Sequence, residues 1–238
     1  MNQSPIPVET TFVDFKCPHC GSSVAFPDQW IGKTQECPNC LQILIVPKPG
    51  VEVGAKLPIP IKTRRMLLRR LVPSDSNDLL EIVGDEELIR YHDWYAYDEE
   101  QVQDWLRRDG NKLLFERGHD FCLALQLLDQ PKVIGYIAMA YREKDNSEMA
   151  LNVLVNRNYQ RQGFATEAVR ASMKLIFTEV NVHRLCTWCD SRNLAGVHLL
   201  EKVGLRCEGR FIKCKLMKGE WVDTVQYALL QEEYVSAA

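Results

Sequence analysis

Four of the nine cysteines in this 238-residue chain are spaced as metal ligands. Cys17 and Cys20 form one CxxC pair, and Cys37 and Cys40 form a second, with sixteen residues between the pairs. Two thiolates three positions apart on a tight turn can bind one metal ion, and two such turns complete a tetrahedral all-sulfur site. Because sulfur occupies all four positions, no site is left open for water, and we expect the ion to be structural.

The residues around these cysteines favour zinc. Each pair encloses a proline (CPHC and CPNC), and Gly21 follows the first pair, as a tight metal-binding turn requires. About forty residues cannot bury enough surface to fold unaided, so a metal would supply the missing stability. The segment resembles a zinc ribbon, predicted over residues 1–46. Iron in a rubredoxin-like site takes the same ligands, but the short spacing favours zinc.

Charge and the N-terminal composition exclude several classes of protein. The chain has 29 Lys and Arg against 32 Asp and Glu, and residues 1–63 hold five Lys, no Arg and five acids. Four thiolates on zinc add negative charge, which argues against nucleic acid and favours a protein partner for the ribbon, or docking on the rest of the chain. The first twelve residues lack Lys, Arg and an apolar run, so no secretory signal is expected and we predict a cytoplasmic protein.

A second candidate site lies where a buried strand meets a helix, in NVLVNRNYQRQGFATEAV (residues 152–169). The strand ends at Val155, a polar loop follows, and a helix begins near Gly163. Small residues at Gly163 and Ala165 let backbone amides approach an anion at the helix N-terminus, where the helix dipole is positive. By itself this pattern is equally typical of an ordinary helix N-terminus.

Two sequence motifs, in this order along the chain, resemble the motifs of a known protein family. The string Q-x-x-G-x-A after the V-x-V strand resembles the acetyl-coenzyme A signature of the GNAT acetyltransferases. DSRNLAGVHLLEKVGL (residues 190–205) resembles the asparagine-containing helix of the same family. The resemblance covers about residues 64–235 and is best to the ribosomal-protein N-acetyltransferase branch. It implies an α+β GNAT fold: a mixed central sheet with splayed parallel strands and flanking helices.

The resemblance also implies how acetyl-CoA, the cosubstrate, would bind. The pantetheine arm would pair with the backbone of Val153, Leu154 and Val155, and Asn193 would hydrogen-bond it. An amide near Val153 would polarise the thioester carbonyl. The pyrophosphate would lie on the backbone amides of Arg161, Gln162, Gly163, Phe164, Ala165 and Thr166.

The acid and base of the reaction are less clearly indicated. An ammonium acceptor must lose a proton before it attacks the thioester. Glu148, at the start of the central strand, is the preferred base, although an exposed strand-end carboxylate has the same signature; Asp190 is a weaker candidate. The positions where family members carry a tyrosine, a glutamate or a serine hold Leu200, Trp188 and Gly196. An acyl-CoA sensor without catalysis, or a scaffold that recruits a partner through the ribbon, is therefore the alternative function.

Two further groups of residues have more than one interpretation. The aromatic segment YHDWYAY places Trp94, Tyr95 and Tyr97 where the family binds its acceptor amine, but aromatic packing under a loop is equally common. Cys186 and Cys189 make a third CxxC, CTWC, which could be half of a second metal site. On a strand, positions three apart point to opposite faces, so buried thiols are expected there rather than a metal.

The spacing of apolar residues and the positions of the prolines predict the secondary-structure elements that hold these residues. Nine of the eleven prolines precede residue 61, and residues 47–63 hold four of them, which predicts an extended linker before a domain at 64–238. No stretch reaches the roughly 18 apolar residues of a membrane helix. We predict strands at 66–72, 121–128, 132–139, 148–155 and 184–189. Helices are predicted from 73, from 98, over 163–180 and over 193–203, and Asp98 with Gln101 forms a capping box for the second of them. A closing hairpin is predicted over 205–230, around Lys218 and Gly219.

Overall fold

The structure is a computed structural model. It describes residues 11–17, 20–31, 34–41, 43–47, 59–110, 121–142 and 147–237. These fall into two compact units, one within residues 1–58 and the other within residues 59–238. The division lies inside the predicted linker, most of which is outside the described residues.

Two small antiparallel hairpins form the first unit. Strand β1 (Phe12–Lys16) pairs with β2 (Ser23–Pro27), and β3 (Thr34–Glu36) pairs with β4 (Ile43–Ile45). Cys17 of the first CxxC pair directly follows β1, and Cys37 of the second pair directly follows β3. Among the described residues of this unit, one cluster of buried side chains comprises Val13, Cys17, Val24, Phe26, Cys37, Leu44 and Val46. Within that cluster, two thiols lie among five aliphatic and aromatic side chains.

The second unit alternates strands and helices around one sheet. It begins with β5 (Ile61–Lys62) and β6 (Met66–Arg70), followed by helices α1 (Ser76–Val83) and α2 (Glu99–Gly110). Strands β7 (Phe121–Leu127), β8 (Val133–Tyr141) and β9 (Glu148–Val155) lead to helix α3 (Phe164–Lys174). The rest comprises β10 (Arg184–Asp190), α4 (Leu194–Lys202), β11 (Arg206–Met217), β12 (Glu220–Leu230) and α5 (Gln231–Ala237).

The eight strands of this unit form one mixed sheet. Their spatial order is β11-β12-β10-β9-β8-β7-β6-β5, and each neighbouring pair is antiparallel except β9 with β10. A parallel pair in the middle of an antiparallel sheet needs a long crossover, which α3 supplies. The predicted mixed sheet with flanking helices is confirmed.

Helices α1 and α2 bury their apolar faces on one side of the sheet. Their buried residues pack with Ala124 of β7, Val133 of β8 and Leu154 of β9. The predicted capping box at the start of α2 is present: the backbone N–H of Gln101 donates to Asp98 Oδ1 (2.8 Å), and the N–H of Asp98 donates to Gln101 Oε1 (2.9 Å). Among the described residues, no helix has the length and apolar character needed to cross a membrane.

Two elements differ from the expected boundaries. The helix predicted from residue 163 to 180 is α-helical only to Lys174 and continues as a wider π-helical turn over Leu175–Glu179. That turn buries Leu175, Ile176 and Phe177 together, which a single-faced α-helical stripe would not do. Strand β5 lies in the last residues of the predicted linker, where it pairs with β6.

Candidate active site

The parallel strands β9 and β10 separate after a short paired stretch. Their register covers three pairs, Arg184 with Glu148, Leu185 with Met149 and Cys186 with Ala150. At the next position the Thr187 hydroxyl, rather than a backbone amide of β10, donates to the Leu151 carbonyl (2.8 Å). Beyond this point β9 remains paired with β8 alone, through Val155. The result is a V-shaped opening in the sheet.

Backbone direction shows which residues of β9 face this opening. The carbonyls of Ser147 and Leu151 accept hydrogen bonds from β10, while the N–H of Asn156 donates to Ile134, toward β8. Successive residues of a strand direct their backbone groups to opposite neighbours. The N–H and C=O of Val153 therefore face the opening. Leu154 faces β8 through its backbone, and its side chain is buried against the helices.

At the carboxyl end of β9 the chain turns sharply into α3. Gly163 is the N-cap of α3 and has a φ of 85°, in the left-handed region that disfavours any side chain. The side chain of Gln160 donates to the Val155 carbonyl (3.0 Å), and that of Gln162 donates to the Asn158 carbonyl (3.0 Å). These bonds fold the loop back on the strand end, so the first amides of α3 lie beside the opening. Arg161, Gln162 and Gly163 are exposed, while Phe164 is buried.

Asn193 lies at the end of β10, as the N-cap of α4. Its Oδ1 accepts from the backbone N–H of Gly196 (3.0 Å). This cap fixes the side-chain amide at the carboxyl end of the second splayed strand. Close by, the Asp190 carboxylate is buried and forms a 2.8 Å ion pair with Arg192, which also pairs with Glu220 (2.8 Å). Asp190 is thus held in an ion-pair network rather than open to a substrate.

Glu148 lies at the opposite, amino end of β9. Its Oε2 accepts from Arg184 Nε (2.8 Å), and its Oε1 accepts from the Cys186 thiol (2.9 Å). Burial, with a further effect of the Glu148 carboxylate, raises the pKa of the Cys186 thiol, so the sulfur stays protonated. Arg184 in turn bonds Glu208 on β11. The predicted base therefore sits in a three-strand polar cluster.

The aromatic residues of the connecting segment 84–98, between α1 and α2, divide into two groups. Trp94 and Tyr97 are half-buried and belong to a run of ring contacts: His92 to Trp94, Trp94 to Tyr97, Tyr97 to Trp105, and Trp105 to Tyr136. Tyr95 instead is 71% exposed, and the centre of its ring lies 5.7 Å from Lys218 Nζ. Of the three aromatic residues assigned to the acceptor, only Tyr95 presents most of its surface to solvent.

The tip of the β11–β12 hairpin contacts this segment. Lys218 Nζ donates to the Ile89 carbonyl (3.1 Å), and Lys215 Nζ pairs with Asp93 Oδ2 (2.7 Å). The contacts join residues more than 120 positions apart, and no local sequence signal indicates them. They join the segment 84–98 to the β11–β12 hairpin.

The sequence patterns also missed Arg65. This residue precedes β6 and reaches the start of α3, where its guanidinium lies 4.0 Å from the centre of the Phe164 ring. Arg65 Nε donates to Glu167 Oε2 (2.8 Å), and Arg65 Nη1 donates to the Gln162 carbonyl (2.9 Å). Nothing in the local pattern around residue 65 predicts a contact about 100 positions away.

In the first unit the four predicted metal ligands come together. Their sulfur atoms all lie within 4.8 Å of one another. The Sγ atoms of Cys17 and Cys40 are 3.8 Å apart, and those of Cys20 and Cys37 are 3.9 Å apart. Hydrogen bonds from the side chain and backbone of Ser22 lower the pKa of Cys20 to about 6. For Cys37 burial acts to raise the pKa, but the amides of Asn39 and Cys40 contribute to a net lowering.

Comparison with known proteins relates the second unit to a family. Residues 65–206 match the family model of the acetyltransferase (GNAT) domain. The uncharacterized N-acetyltransferase YnaD of Bacillus subtilis (strain 168) is 30% identical over 174 residues, which span 73% of this chain and 98% of YnaD. An acetyltransferase of the GNAT family from Bacillus anthracis has a similar structure, with a TM-score of 0.66 and 27% identity over 73% of this chain and 99% of that one.

A more distant structure shares the fold. It is RimL, a ribosomal L7/L12 alpha-N-protein acetyltransferase in complex with coenzyme A, with a TM-score of 0.63 and 19% identity over 72% of this chain and 97% of RimL. The splayed strands, the tight turn into α3 and the matched residues agree on one assignment. This chain belongs to the GNAT family of N-acetyltransferases.

Proposed function

We propose that this protein transfers the acetyl group of acetyl-CoA to the amine of a protein N-terminus or small molecule, by direct attack. The proposal depends on one observation: the backbone N–H and C=O of Val153 face the opening between β9 and β10, beside the turn at Gly163. An extended ligand can pair with this strand while its anionic end reaches the amides at the start of α3. The coenzyme A bound to RimL supports the same ligand class.

Direct transfer needs few groups from the protein. The lone pair of the neutral amine attacks the thioester carbon, a C–N bond forms, and the C–S bond breaks as the thiolate leaves. The amine nitrogen gives up its proton to a base, and the thiolate takes one up. The N–H of Val153 would donate to the oxygen on which negative charge develops, and backbone donors of this kind are insensitive to side-chain changes.

Glu148 is the base we propose, acting through water. Its Cα is five residues from that of Val153, roughly 17 Å along an extended strand, which excludes direct contact with a thioester at Val153. The bonds from Arg184 and Cys186 hold its carboxylate at a fixed position. A carboxylate held in this way can anchor a chain of hydrogen-bonded water molecules that carries the amine proton to it.

The test is a thiol-release assay with purified protein, acetyl-CoA and a panel of peptides and small amines. We expect free CoA to appear in amounts that depend on the amine. Tight CoA binding without release on any amine would favour the acyl-CoA sensor. Leu200, where family members carry a tyrosine, is buried and apolar and supports that second candidate.

Substitution of Glu148 separates catalysis from stability. If Glu148 is the base, Glu148→Gln should lower kcat by about a hundredfold or more while the KM for acetyl-CoA changes little. Glu208→Gln is the matched control, because Glu208 also bonds Arg184 but lies on the edge strand. Equal kcat values for the two variants would assign Glu148 a structural role only.

For the first unit we propose one structural Zn²⁺ ion held by Cys17, Cys20, Cys37 and Cys40. Zinc–sulfur bonds of about 2.3 Å in a tetrahedron put sulfur atoms about 3.8 Å apart. The Cys17–Cys40 and Cys20–Cys37 sulfur separations, 3.8 and 3.9 Å, fit this spacing. The lowered pKa values of Cys20 and Cys37 favour thiolates, the form that binds metal.

A further inference from the structure

Arg65 holds the pyrophosphate loop, residues 160–166, through three separate groups. Its guanidinium donates to the Gln162 carbonyl and to Glu167, and it stacks on the Phe164 ring. Its backbone N–H donates to the other oxygen of Glu167 (2.8 Å). From a distant part of the chain, Arg65 therefore contacts both the loop and the first turn of α3.

The bond to Gln162 fixes the direction of one amide. In a trans peptide the C=O and the following N–H point in opposite directions within one plane. Because Arg65 draws the Gln162 carbonyl toward β6, the N–H of Gly163 must point away from it, out of the turn. This is the side on which an anion at the start of α3 would lie.

The bonds to Glu167 keep a competing anion away. Glu167 lies in the first turn of α3, where a carboxylate is attracted to the same free amides as a phosphate. Burial acts to raise its pKa, but hydrogen bonds from Thr63 and Arg65 outweigh burial, so the pKa is lowered and the carboxylate stays ionised. Released from Arg65, this charge could fold onto the helix N-terminus and repel a pyrophosphate.

We infer that Arg65 is a positioning residue for acetyl-CoA: it orients the Gly163 amide and restrains the Glu167 carboxylate, so that the pyrophosphate loop is ready to bind. The inference rests on the proposed binding of acetyl-CoA. It concerns the affinity for the pyrophosphate end of the ligand, and chemistry at the thioester should be unaffected.

The experiment compares Arg65→Ala with the unmodified protein by titration calorimetry with CoA. We expect the Kd for CoA to rise about ten- to hundredfold, the scale of hydrogen bonds to charged groups. In activity assays the KM for acetyl-CoA should rise with little change in kcat. With S-acetylpantetheine, which lacks the pyrophosphate, the two proteins should have the same kcat/KM.

Additional variants separate positioning from folding. Arg69→Ala, in strand β6 four residues after Arg65, breaks the 2.8 Å pair with Asp75 and should lower Tm without changing the Kd for CoA. Arg65→Ala with Glu167→Gln should bind CoA more tightly than Arg65→Ala alone, because the competing charge is gone. Should Arg65→Ala not fold, Arg65→Lys keeps the charge but loses the forked hydrogen bonds and should still weaken CoA binding.

Two outcomes would overturn the inference. One is a Kd for CoA in folded Arg65→Ala within twofold of that of the unmodified protein. The other is an equal loss of kcat/KM with acetyl-CoA and with S-acetylpantetheine. Failure of the unmodified protein to bind CoA would instead overturn the proposed function, so the two failures are distinguishable.

Discussion

At the scale of single residues, Gly196 shows how a departure from the family pattern is accommodated. A Cβ built on Gly196 would lie 2.9 Å from Asn193 Nδ2, closer than real Cβ atoms approach, and 3.0 Å from Cys189 Sγ, which is tighter than most real contacts. The serine that the resemblance leads one to expect at this position would therefore displace the side chain of Asn193 or of Cys189. Any hydroxyl function that a serine would supply must come from elsewhere.

Gly196→Ser should consequently destabilise the protein. We expect a loss of about 1–3 kcal/mol in the free energy of unfolding, the usual cost of overpacking, measured by urea denaturation. Displacement of Asn193 should also weaken CoA binding. Ala195→Ser, at the exposed neighbouring position, should change neither quantity. Adding Cys189→Ala to Gly196→Ser should recover part of the loss; no recovery would mean that Cys189 is not the obstacle.

At the scale of elements, the connecting segment 84–98 and the β11–β12 hairpin are joined by charges of both signs. Lys215 pairs with Asp93, and Lys218 bonds the Ile89 carbonyl. His92 lies between them, half-buried. Burial lowers the pKa of His92, and Lys218 and Lys215 lower it further against the opposing effect of Asp93. His92 is therefore neutral at pH 7 when the two elements are in contact.

The lowered pKa of His92 predicts a pH-dependent stability. Because the folded protein binds the His92 proton more weakly than the unfolded chain, its contribution is complete above about pH 6.5 and is lost as the pH falls through the folded pKa. Between pH 7.5 and pH 5 the free energy of unfolding, measured by urea denaturation, should decline less for His92→Gln than for the unmodified protein. His198→Gln, at an exposed position, should decline like the unmodified protein. The prediction would be contradicted if the free energy of unfolding depended on pH in the same way in all three proteins.

At the scale of the whole molecule, the two units have different sources of stability. The second unit buries a large apolar core on both sides of its sheet. In the described part of the first unit few apolar side chains are buried, and two of the buried residues are cysteines. A unit of this size gains little from burial alone, so a bound metal would account for much of its folding free energy.

Removal of metal should therefore unfold one unit and spare the other. We expect elemental analysis to give one zinc per chain, and Cys20→Ser with Cys37→Ser to abolish it. After chelation, hydrogen exchange should accelerate in residues 11–47 and stay slow in the strands of residues 59–237. Cys207→Ser, an exposed thiol in the second unit, should keep the zinc. A zinc content below a tenth of equimolar would refute the proposed site.

Local signals account for what could be predicted from the sequence. The capping box of Asp98 and Gln101, the hairpin at Lys218 and Gly219 and the turn at Gly163 each depend on residues within a few positions. Such features follow from backbone geometry and side-chain period, which a short stretch of sequence already contains. The same holds for the CxxC pairs, whose spacing alone predicts that the four sulfur atoms meet.

Tertiary structure alone decided which groups surround the proposed site. Arg65 reaches Gln162 across 97 positions, and Glu148 meets Arg184 and Cys186 across 36 and 38. Trp94 and Tyr97 belong to a run of ring contacts that reaches Tyr136 on β8 through Trp105, rather than standing open. These contacts depend on the order of strands in the sheet, and that order is set by the burial of many side chains at once. The sequence by itself therefore determined the family resemblance and the ligand-binding patterns, whereas the sheet decided which residues hold them in place, because only the folded chain brings distant positions together.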